Sequence, residues 1–491
     1  MFIAILLLSF CFNLLVAVQE KPMVVVVPSY NNAQWYRRNL DSICFQNYQN
    51  YRVIYIDDCS PDGTGALVAE YVDEYDLHDK VTLIRNARNC GAMANHYKAA
   101  WMCADDEIVV HVDGDDWLKH NDVLARVNEE YQNSDVWLTY GQFERFPDGQ
   151  KGYCRPMQPA VIQWNAYREC DWVTSHLRTF YAGLFKQIKL KDFMYHGGYF
   201  PVTCDMAMFF PLLELAGKHA RCISDVLYVY NEQTELNDYK KRLLLQLHCD
   251  KVIRSRAKYQ QALSYKRAQP SEQIDILIFL TGSSNVVELL DQLTDCLPAG
   301  CNITILYNDA HRSQAAWLES LFPSLGYICY EKNLTEVFDT IASSDGYLCC
   351  LDDHCAIRRP LSLDIALESL RQTGALAFHL NLGTDVSRTR LLKRDQRVPR
   401  LLAIDDQICA WQYKDGEFDW KDPFQFMSLY SKDHVKSIIN GAQISDLEDF
   451  KEVMRSGLVD QEDVGLCYLS ACMQSFDTFA SCQKAHCKHS G

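Results

Sequence analysis

Positive charge is scarce in this chain: 48 Lys and Arg face 64 Asp and Glu, a formal net charge of −16 over 491 residues. A phosphate-backbone partner requires a basic face, so nucleic acid is excluded as an expected partner. A phosphorylated small molecule arriving with a cation is still admitted. Glycines are missing from the turn Pro28-Ser29-Tyr30-Asn31-Asn32, which follows the apolar stretch Met23–Val27. A dinucleotide site would place G-x-G-x-x-G there so that backbone N–H groups meet a pyrophosphate. Proline has no N–H, so no phosphate is cradled at this turn. Cysteine is plentiful at 21, an odd number, but the spacings of Cys467, Cys472, Cys482 and Cys487 fit no strong zinc pattern.

What is present describes a folded protein of more than one domain. Hydrophobic residues make up 48% and charged residues 23%, a globular balance in a chain too long for one ordinary core. The run Phe2–Val18 is broken only by Ser9, Cys11 and Asn13. No Lys or Arg precedes it and no clear A-x-A site follows, so a signal peptide, an uncleaved membrane anchor over residues 1–20 and a buried first strand all stay open. The first two imply membrane association or the secretory pathway. Lys21, Arg37 and Arg38 on the far side of the run favour a cytoplasmic body by the positive-inside rule.

The densest chemistry lies in Val109-Val110-His111-Val112-Asp113-Gly114-Asp115-Asp116-Trp117. The apolar, β-branched start predicts a buried strand, and three carboxylates follow it. Two like charges about 4 Å apart cost roughly 4 kcal/mol at an effective dielectric of about 20. No Lys or Arg lies within the stretch to offset that. Asp113, Asp115 and Asp116 are therefore candidate ligands for Mg2+ or Mn2+, which take oxygen ligands and substrate phosphates. The competing reading is an acidic surface turn reversed at Asp-Gly.

Around this stretch the pattern alternates strand and helix. A helix is predicted over Gln34–Phe45 and a strand over Tyr51–Ile56, ending in Asp57-Asp58-Cys59-Ser60-Pro61-Asp62-Gly63-Thr64. Further on come a helix over Gly65–Tyr75, a strand over Val81–Ile84, the turn Arg85-Asn86-Ala87-Arg88-Asn89-Cys90-Gly91 and a helix over Ala92–Met102. Such units pair their strands in parallel through right-handed crossovers, and ligands lie beyond the carboxyl ends of the strands. Tyr30, Asn31, Asp57, Asp58 and the Asp113 cluster all fall on that edge. The turn before Ala92 is also able to aim N–H groups and Arg85 or Arg88 at an anion.

The ordered set Pro28-Ser29-Tyr30-Asn31, Asp57-Asp58-x-Ser60-x-Asp62-x-Thr64, Asn89-x-Gly91 and Asp113-Gly114-Asp115-Asp116 resembles the family 2 glycosyltransferases of the GT-A fold, over roughly Met23 to Asn237. The resemblance implies a nucleotide-sugar donor, a UDP-sugar first, with Asp57 and Asp58 at the base and ribose. It implies that Pro28, Ser29, Tyr30, Asn31, Arg85, Asn89, Gly91 and Asp113 line the donor site. Asp113, Asp115 and Asp116 would form a D-x-D element holding a divalent cation, Mn2+ or Mg2+, against the diphosphate. It also implies inversion at the sugar carbon by a downstream Asp acting as general base. Asp205, before the apolar helix Met206–Ala216, takes that position, with Cys204 where the family usually has another acid. A helix N-cap is the competing role for Asp205. His176 and Arg178, in a stretch bounded by Trp172 and Phe180, are candidates for the acceptor or diphosphate site. The acceptor would be a glycan, lipid or protein hydroxyl. The alternatives are a non-catalytic nucleotide-sugar or carbohydrate-binding protein and a bifunctional transferase with two active domains. A nucleotidyltransferase is disfavoured, since it wants a Gly-rich loop and a Lys after the first strand.

After a basic, polar linker at 263–273, the strand–helix–strand order recurs. Ile274–Leu280 and Ile303–Tyr307 are predicted strands, and Gly346–Leu351 runs into Asp352-Asp353-His354 about 240 residues after the first acid cluster. The expected fold is therefore α/β, with two GT-A-like (Rossmann-like) domains in tandem, each a mostly parallel sheet flanked by helices. The first spans 21–262 and the second 274–491. The second is a weaker likeness, read as a degenerate or unassigned transferase domain, and would place Asp352, Asp353 and His354 where a D-x-D stands.

Overall fold

Four consecutive valines make Met23–Ser29 (β1) a strand buried at every residue, as expected of a strand covered on both faces of a parallel sheet. In the computed structural model β1 pairs in parallel with Tyr51–Asp57 (β2) on one side and Ile108–His111 (β4) on the other, and β2 pairs in parallel with Val81–Arg85 (β3). The structure describes residues 19–234, 241–267, 273–297, 301–331, 334–341, 345–357, 363–382, 395–404, 407–416, 418–422, 424–425, 427–457, 464–468 and 473–475. The chain divides into two units. One takes described residues up to 185 with 209–243 and 257–265; the other takes 186–208, 244–256 and 266 onward.

The first unit's sheet is completed by Trp117–Leu118 (β5), Leu138–Phe146 (β6), Ser175–Tyr181 (β7) and, after a two-stranded ladder of the other unit (β8, Met194–Tyr195; β9, Gly198–Tyr199), Ala220–Asn231 (β10). Its order is β3-β2-β1-β4-β7-β6-β10-β5. β7 runs antiparallel to β4 and β6, while β10 is parallel to β6 and antiparallel to β5. The crossover helices Tyr36–Cys44, Thr64–Glu74 and Ala92–Trp101 lie within two residues of the sequence expectation. The helix Tyr36–Cys44 buries Asn39, Leu40, Ile43 and Cys44, the i, i+1, i+4, i+5 stripe of a helix on a sheet.

The second unit's sheet holds Ile274–Phe279 (β11), Cys301–Tyr307 (β12), Gly326–Cys329 (β13), Tyr347–Asp352 (β14), Ala377–His379 (β16), Leu402–Ala403 (β17), Ile408–Gln412 (β18), Ser428–Ser431 (β19) and Val464–Tyr468 (β20). Cys355–Ile357 (β15) pairs separately with Met473–Ser475 (β21). The order β13-β12-β11-β14-β19-β16-β20-β18-β17 follows that of the first unit strand for strand through β20. The senses match too: β19 is antiparallel to β14 and β16, and β20 is parallel to β16. Even the strand after the acids, β15, pairs antiparallel with a segment following β20, as β5 does with the end of β10.

One helix is shorter than its pattern. The helical spacing of 243–263 yields a helix only over Leu243–Ser255. Arg256 ends it by donating to the Lys191 and Met194 carbonyls at 2.6 and 2.7 Å. Beyond it, Tyr259 N–H donates to Glu214 Oε2 and Ala262 N–H to the Leu215 carbonyl, which returns 257–265 to the first unit. The membrane placement expected from residues 2–18 is corrected: among the described residues no helix is long and apolar enough to cross a membrane, and residues 1–18 lie outside them.

Glu214 is also the acceptor for a buried, two-pronged ion pair with Arg168, at 2.5 and 2.8 Å. Removing one partner of such a pair strands the other charge. Arg168→Ala is expected to destabilise the first unit by about 3–5 kcal/mol in urea unfolding, and Arg168→Leu combined with Glu214→Leu by clearly less.

Candidate active site

Parallel pairing brings the carboxyl ends of β1, β2 and β4 to one edge, and the turns there are laced together by side chains. Ser29 Oγ accepts from Tyr55 OH and Asn32 Nδ2 at 2.9 and 3.0 Å. Asn31 N–H donates to Ser60 Oγ, Asn32 N–H to Thr64 Oγ1 and Ala33 N–H to Asp62 Oδ2. The ladder with β2 runs through Pro28 to Ser29, paired with Asp57, and Tyr30 stands exposed beyond it. Asp58 is fully engaged: its oxygens take Asn86 Nδ2, Cys90 N–H and Gly91 N–H, each at 2.8 Å, and its carbonyl takes Asn89 Nδ2. Asp58 thus fastens the 86–91 turn and has no oxygen left uncommitted. Asp57 is different: buried, with Oδ1 lacking a hydrogen-bond partner. A Cβ at Gly65 would run into its Oδ2 and come within 3.0 Å of Arg85 Nε, so glycine there lets Asp57 and the exposed Arg85 converge.

The acid cluster is held from beneath by neutral donors. Asn39 Nδ2 bridges the carbonyls of Asp113 and Asp116 at 3.0 and 2.7 Å. Tyr228 OH accepts from Asp113 N–H and donates to Asp116 Oδ2 at 2.7 Å, while Asn231 N–H donates to Asp116 Oδ1 at 2.7 Å. Asn231 Nδ2 donates to the Asp115 carbonyl. Asp116 is 1% exposed; burial, then Asp115 and Asp113, push its carboxyl well above the usual range. Burial and then the charge of Asp113 raise Asp115 to about 7. Burial acts upward on Asp113 as well, but His111, by charge and hydrogen bond, and then His176 and His96 turn it downward.

Histidines surround this cluster, and only His176 was expected there. Ligand atoms of Asp113, Asp116 and His176 lie within 4.8 Å of one another, as do those of His96, His111 and Asp113. His176 stacks on Tyr228 at 4.4 Å between ring centroids. Arg178, beside His111 in the β4–β7 register, is buried over Phe209 and Trp172. Burial first, with Arg178 and His111 adding, keeps His176 and His96 far below the ordinary imidazole value, so both offer lone pairs. Oxygen donors with one imidazole, crowded enough to raise two carboxyls, fit a divalent cation such as Mn2+ or Mg2+. Tyr228, Asn231 and Asn39 escaped the sequence reading, because their bonds reach across 74 to 116 positions that only the sheet order joins. Asp205 is half-buried in the first turn of the helix Cys204–Ala216, within the 186–208 segment that groups with the second unit.

The second unit treats the equivalent position otherwise. β1 and β4 start in register at Met23 and Ile108, β11 and β14 at Ile274 and Tyr347. Counting from there, Asp113 matches Asp352 and Gly114 matches Asp353. The match is exact in bonding: Gly114 N–H donates to the Pro28 carbonyl and Asp353 N–H to that of Phe279, each at 3.2 Å. A Cβ on Gly114 would lie 2.6 Å from Ser29 Oγ, so no side chain fits. Asp353 has a side chain there, fully buried, accepting the N–H groups of Thr281, Gly282 and Ser283 at 2.9–3.0 Å and Thr281 Oγ1 at 2.6 Å. Where the first unit continues with Asp115 and Asp116, the second has His354 and Cys355, and Cys355 Sγ donates to Asp352.

Residues 24–209 match the profile of glycosyl transferase family 2. They form a family 2 glycosyltransferase domain. Among curated relatives, glycosyltransferase GlyG of Streptococcus pneumoniae is 26% identical over 129 residues, 26% of this chain and 41% of that protein. The poly(ribitol-phosphate) β-N-acetylglucosaminyltransferase TarS of Staphylococcus aureus is 31% identical over 119 residues, 23% of this chain and 20% of that protein. The chain thus spans less than half the length of either. Among solved structures, S. aureus TarS 1-349 in complex with UDP-GlcNAc overlaps 43% of this chain and 59% of its own with a TM-score of 0.34 at 19% identity. A mannosyltransferase from Pyrobaculum calidifontis, in complex with GDP-Man and Mn2+, overlaps 49% of this chain and 66% of its own with a TM-score of 0.33 at 20% identity.

Two outcomes follow from this geometry. A carboxyl at 3.8 when unfolded and about 7 when folded stabilises the fold below pH 4, and that contribution is lost as pH rises to 7. The melting temperature of the metal-free wild type, relative to Asp115→Asn, should therefore fall between pH 4 and 7 and level off above. Asp353→Ala strands the donors of the Thr281–Ser283 turn and should destabilise the second unit by about 1–3 kcal/mol in urea unfolding.

Proposed function

We propose that the chain is a glycosyltransferase that moves a sugar from a nucleotide-sugar donor to a hydroxyl of a glycan, lipid or protein. The observation that carries this reading is the family 2 domain with its acid cluster at the carboxyl edge of β1, β2 and β4, where open α/β sheets bind ligands. In the finer reading, Asp57 and Arg85 meet the nucleoside end of the donor while Asp58 holds the 86–91 turn in place. Asp113, Asp115, Asp116 and His176 hold a divalent cation against the diphosphate. Bound there, the cation would offset the charge developing on the departing oxygen. Asp205 takes the proton of the acceptor hydroxyl as that oxygen bonds to the sugar carbon. The carbon–diphosphate bond breaks on the opposite face, the configuration inverts, and nucleoside diphosphate leaves. The role of Asp205 rests on its place in sequence, before the apolar helix.

A second reading, nucleotide-sugar binding without transfer, is favoured by one observation: the acid cluster is assembled by hydrogen bonds within the first unit, whereas the candidate base is marked by its place in sequence alone. A second active centre has less behind it, since Asp353 is consumed by its own turn. The second unit is proposed as a GT-A-like copy without a D-x-D.

UDP-GlcNAc is the first donor to test, TarS being named for N-acetylglucosaminyl transfer. With Mn2+ and donor at about 100 times its dissociation constant, thermal unfolding should show about 2.7 kcal/mol of added stability, lost in Asp113→Asn. Asp205→Asn should keep donor binding and lose about 10²–10⁴-fold in turnover. Binding without release of UDP under any acceptor would leave the non-catalytic reading standing.

A further inference from the structure

His96, His111 and Asp113 come from two pieces of chain: the helix Ala92–Trp101, and the end of β4 with the loop that follows it. One ligand atom from each lies within 4.8 Å of the other two. The imidazoles are 6% and 4% exposed and meet edge to face at 3.9 Å between centroids. His111 Nε2 stands 3.2 Å from Asp113 Oδ1, close to the edge, about 3.3 Å, of a tetrahedron with zinc bonds of about 2.0–2.1 Å. The Asp113 side chain remains 35% exposed, giving an ion a way in and a solvent molecule the fourth position. The transfer scheme above uses neither His96 nor His111.

We propose that His96, His111 and Asp113 form a second cation site, an imidazole–imidazole–carboxylate set that takes Zn2+ in preference to Mn2+. Imidazole suits Zn2+, and Mn2+ binds N/O sites most weakly of the first-row divalent ions. Asp113 belongs to this set and to the neighbouring set with Asp116 and His176, so Zn2+ in one withdraws a carboxylate from the other. That competition rests on the donor-cation reading, whereas Zn2+ binding does not.

The test uses the full chain without nucleotide. Equilibrium dialysis against Zn2+ alone should show one bound ion in the wild type whose affinity falls by at least about tenfold in His96→Gln, since losing a ligand costs no less than losing an outer partner. Co2+ added to the wild type should give visible d–d bands of tetrahedral coordination without a thiolate charge-transfer band. Bound Mn2+, read by electron paramagnetic resonance, should be displaced by one equivalent of Zn2+ in the wild type and not in His96→Gln. Equal Zn2+ uptake by both proteins overturns the site. So does the absence of the Co2+ bands, a readout on the unaltered chain that a misfolded variant cannot excuse. Zn2+ uptake that leaves bound Mn2+ unchanged overturns the sharing of Asp113. Absence of any Mn2+ binding, with Zn2+ uptake intact, strikes the donor-cation reading and not this site.

Discussion

Mutual repulsion among carboxylates at the rim of the first sheet is the constraint on which the rest of the molecule turns. Asp113, Asp115 and Asp116 emerge together because β4 ends between two partners, β1 and β7, whose own turns wall the edge. Water cannot relieve Asp116, which is buried, and two of the three carboxyls respond by holding protons more tightly. The protein supplies Tyr228, Asn231 and Asn39 to fix their positions but no Lys or Arg within the stretch. His111 answers Asp113 by charge, but uncharged donors orient Asp115 and Asp116 without neutralising them, which leaves their compensating charge to come from a ligand.

The second unit shows what the same framework does when that constraint is lifted. Its strands repeat in order and sense, and its acids reach the same rim. Yet one residue, Asp353 in place of Gly114, turns an acid inward onto three backbone N–H groups of the first turn. A carboxylate spent this way is a stable part of the fold and is no longer offered to an ion. Topology alone therefore says little about chemistry; the side chains just past the end of one strand decide it.

Much of the framework was legible from residue order. Runs such as Val24–Val27 and Ile108–Val110 are β-branched and apolar, and the crossover helices carry a clear stripe, so element types and parallel pairing followed from periodicity. The acid cluster was legible for the same reason: three carboxylates after a buried strand have few physical excuses. What was not legible depended on contacts distant in sequence. Asp57 and Asp58 look alike on paper, but only the Asp58 carboxylate binds the turn at 86–91. His96 is a lone histidine in a helix until β4 brings His111 beside it. Asp352-Asp353 reads as a second acid cluster because nothing local reveals the turn that captures it. The end of the helix at Ser255 was missed because Arg256 finds its acceptors more than 60 residues away.

The chain does not finish one unit before beginning the next. Residues 186–208 and 244–256 belong with the second, and 257–265 return to the first, drawn there by the Glu214 and Leu215 acceptors. A gene cut at the basic stretch near 263–273 would therefore yield no clean halves. The upstream product would carry two orphaned segments, and the downstream product would lack them. The order of the chain thus ties the two sheets together, since each unit takes segments from both sides of the other's.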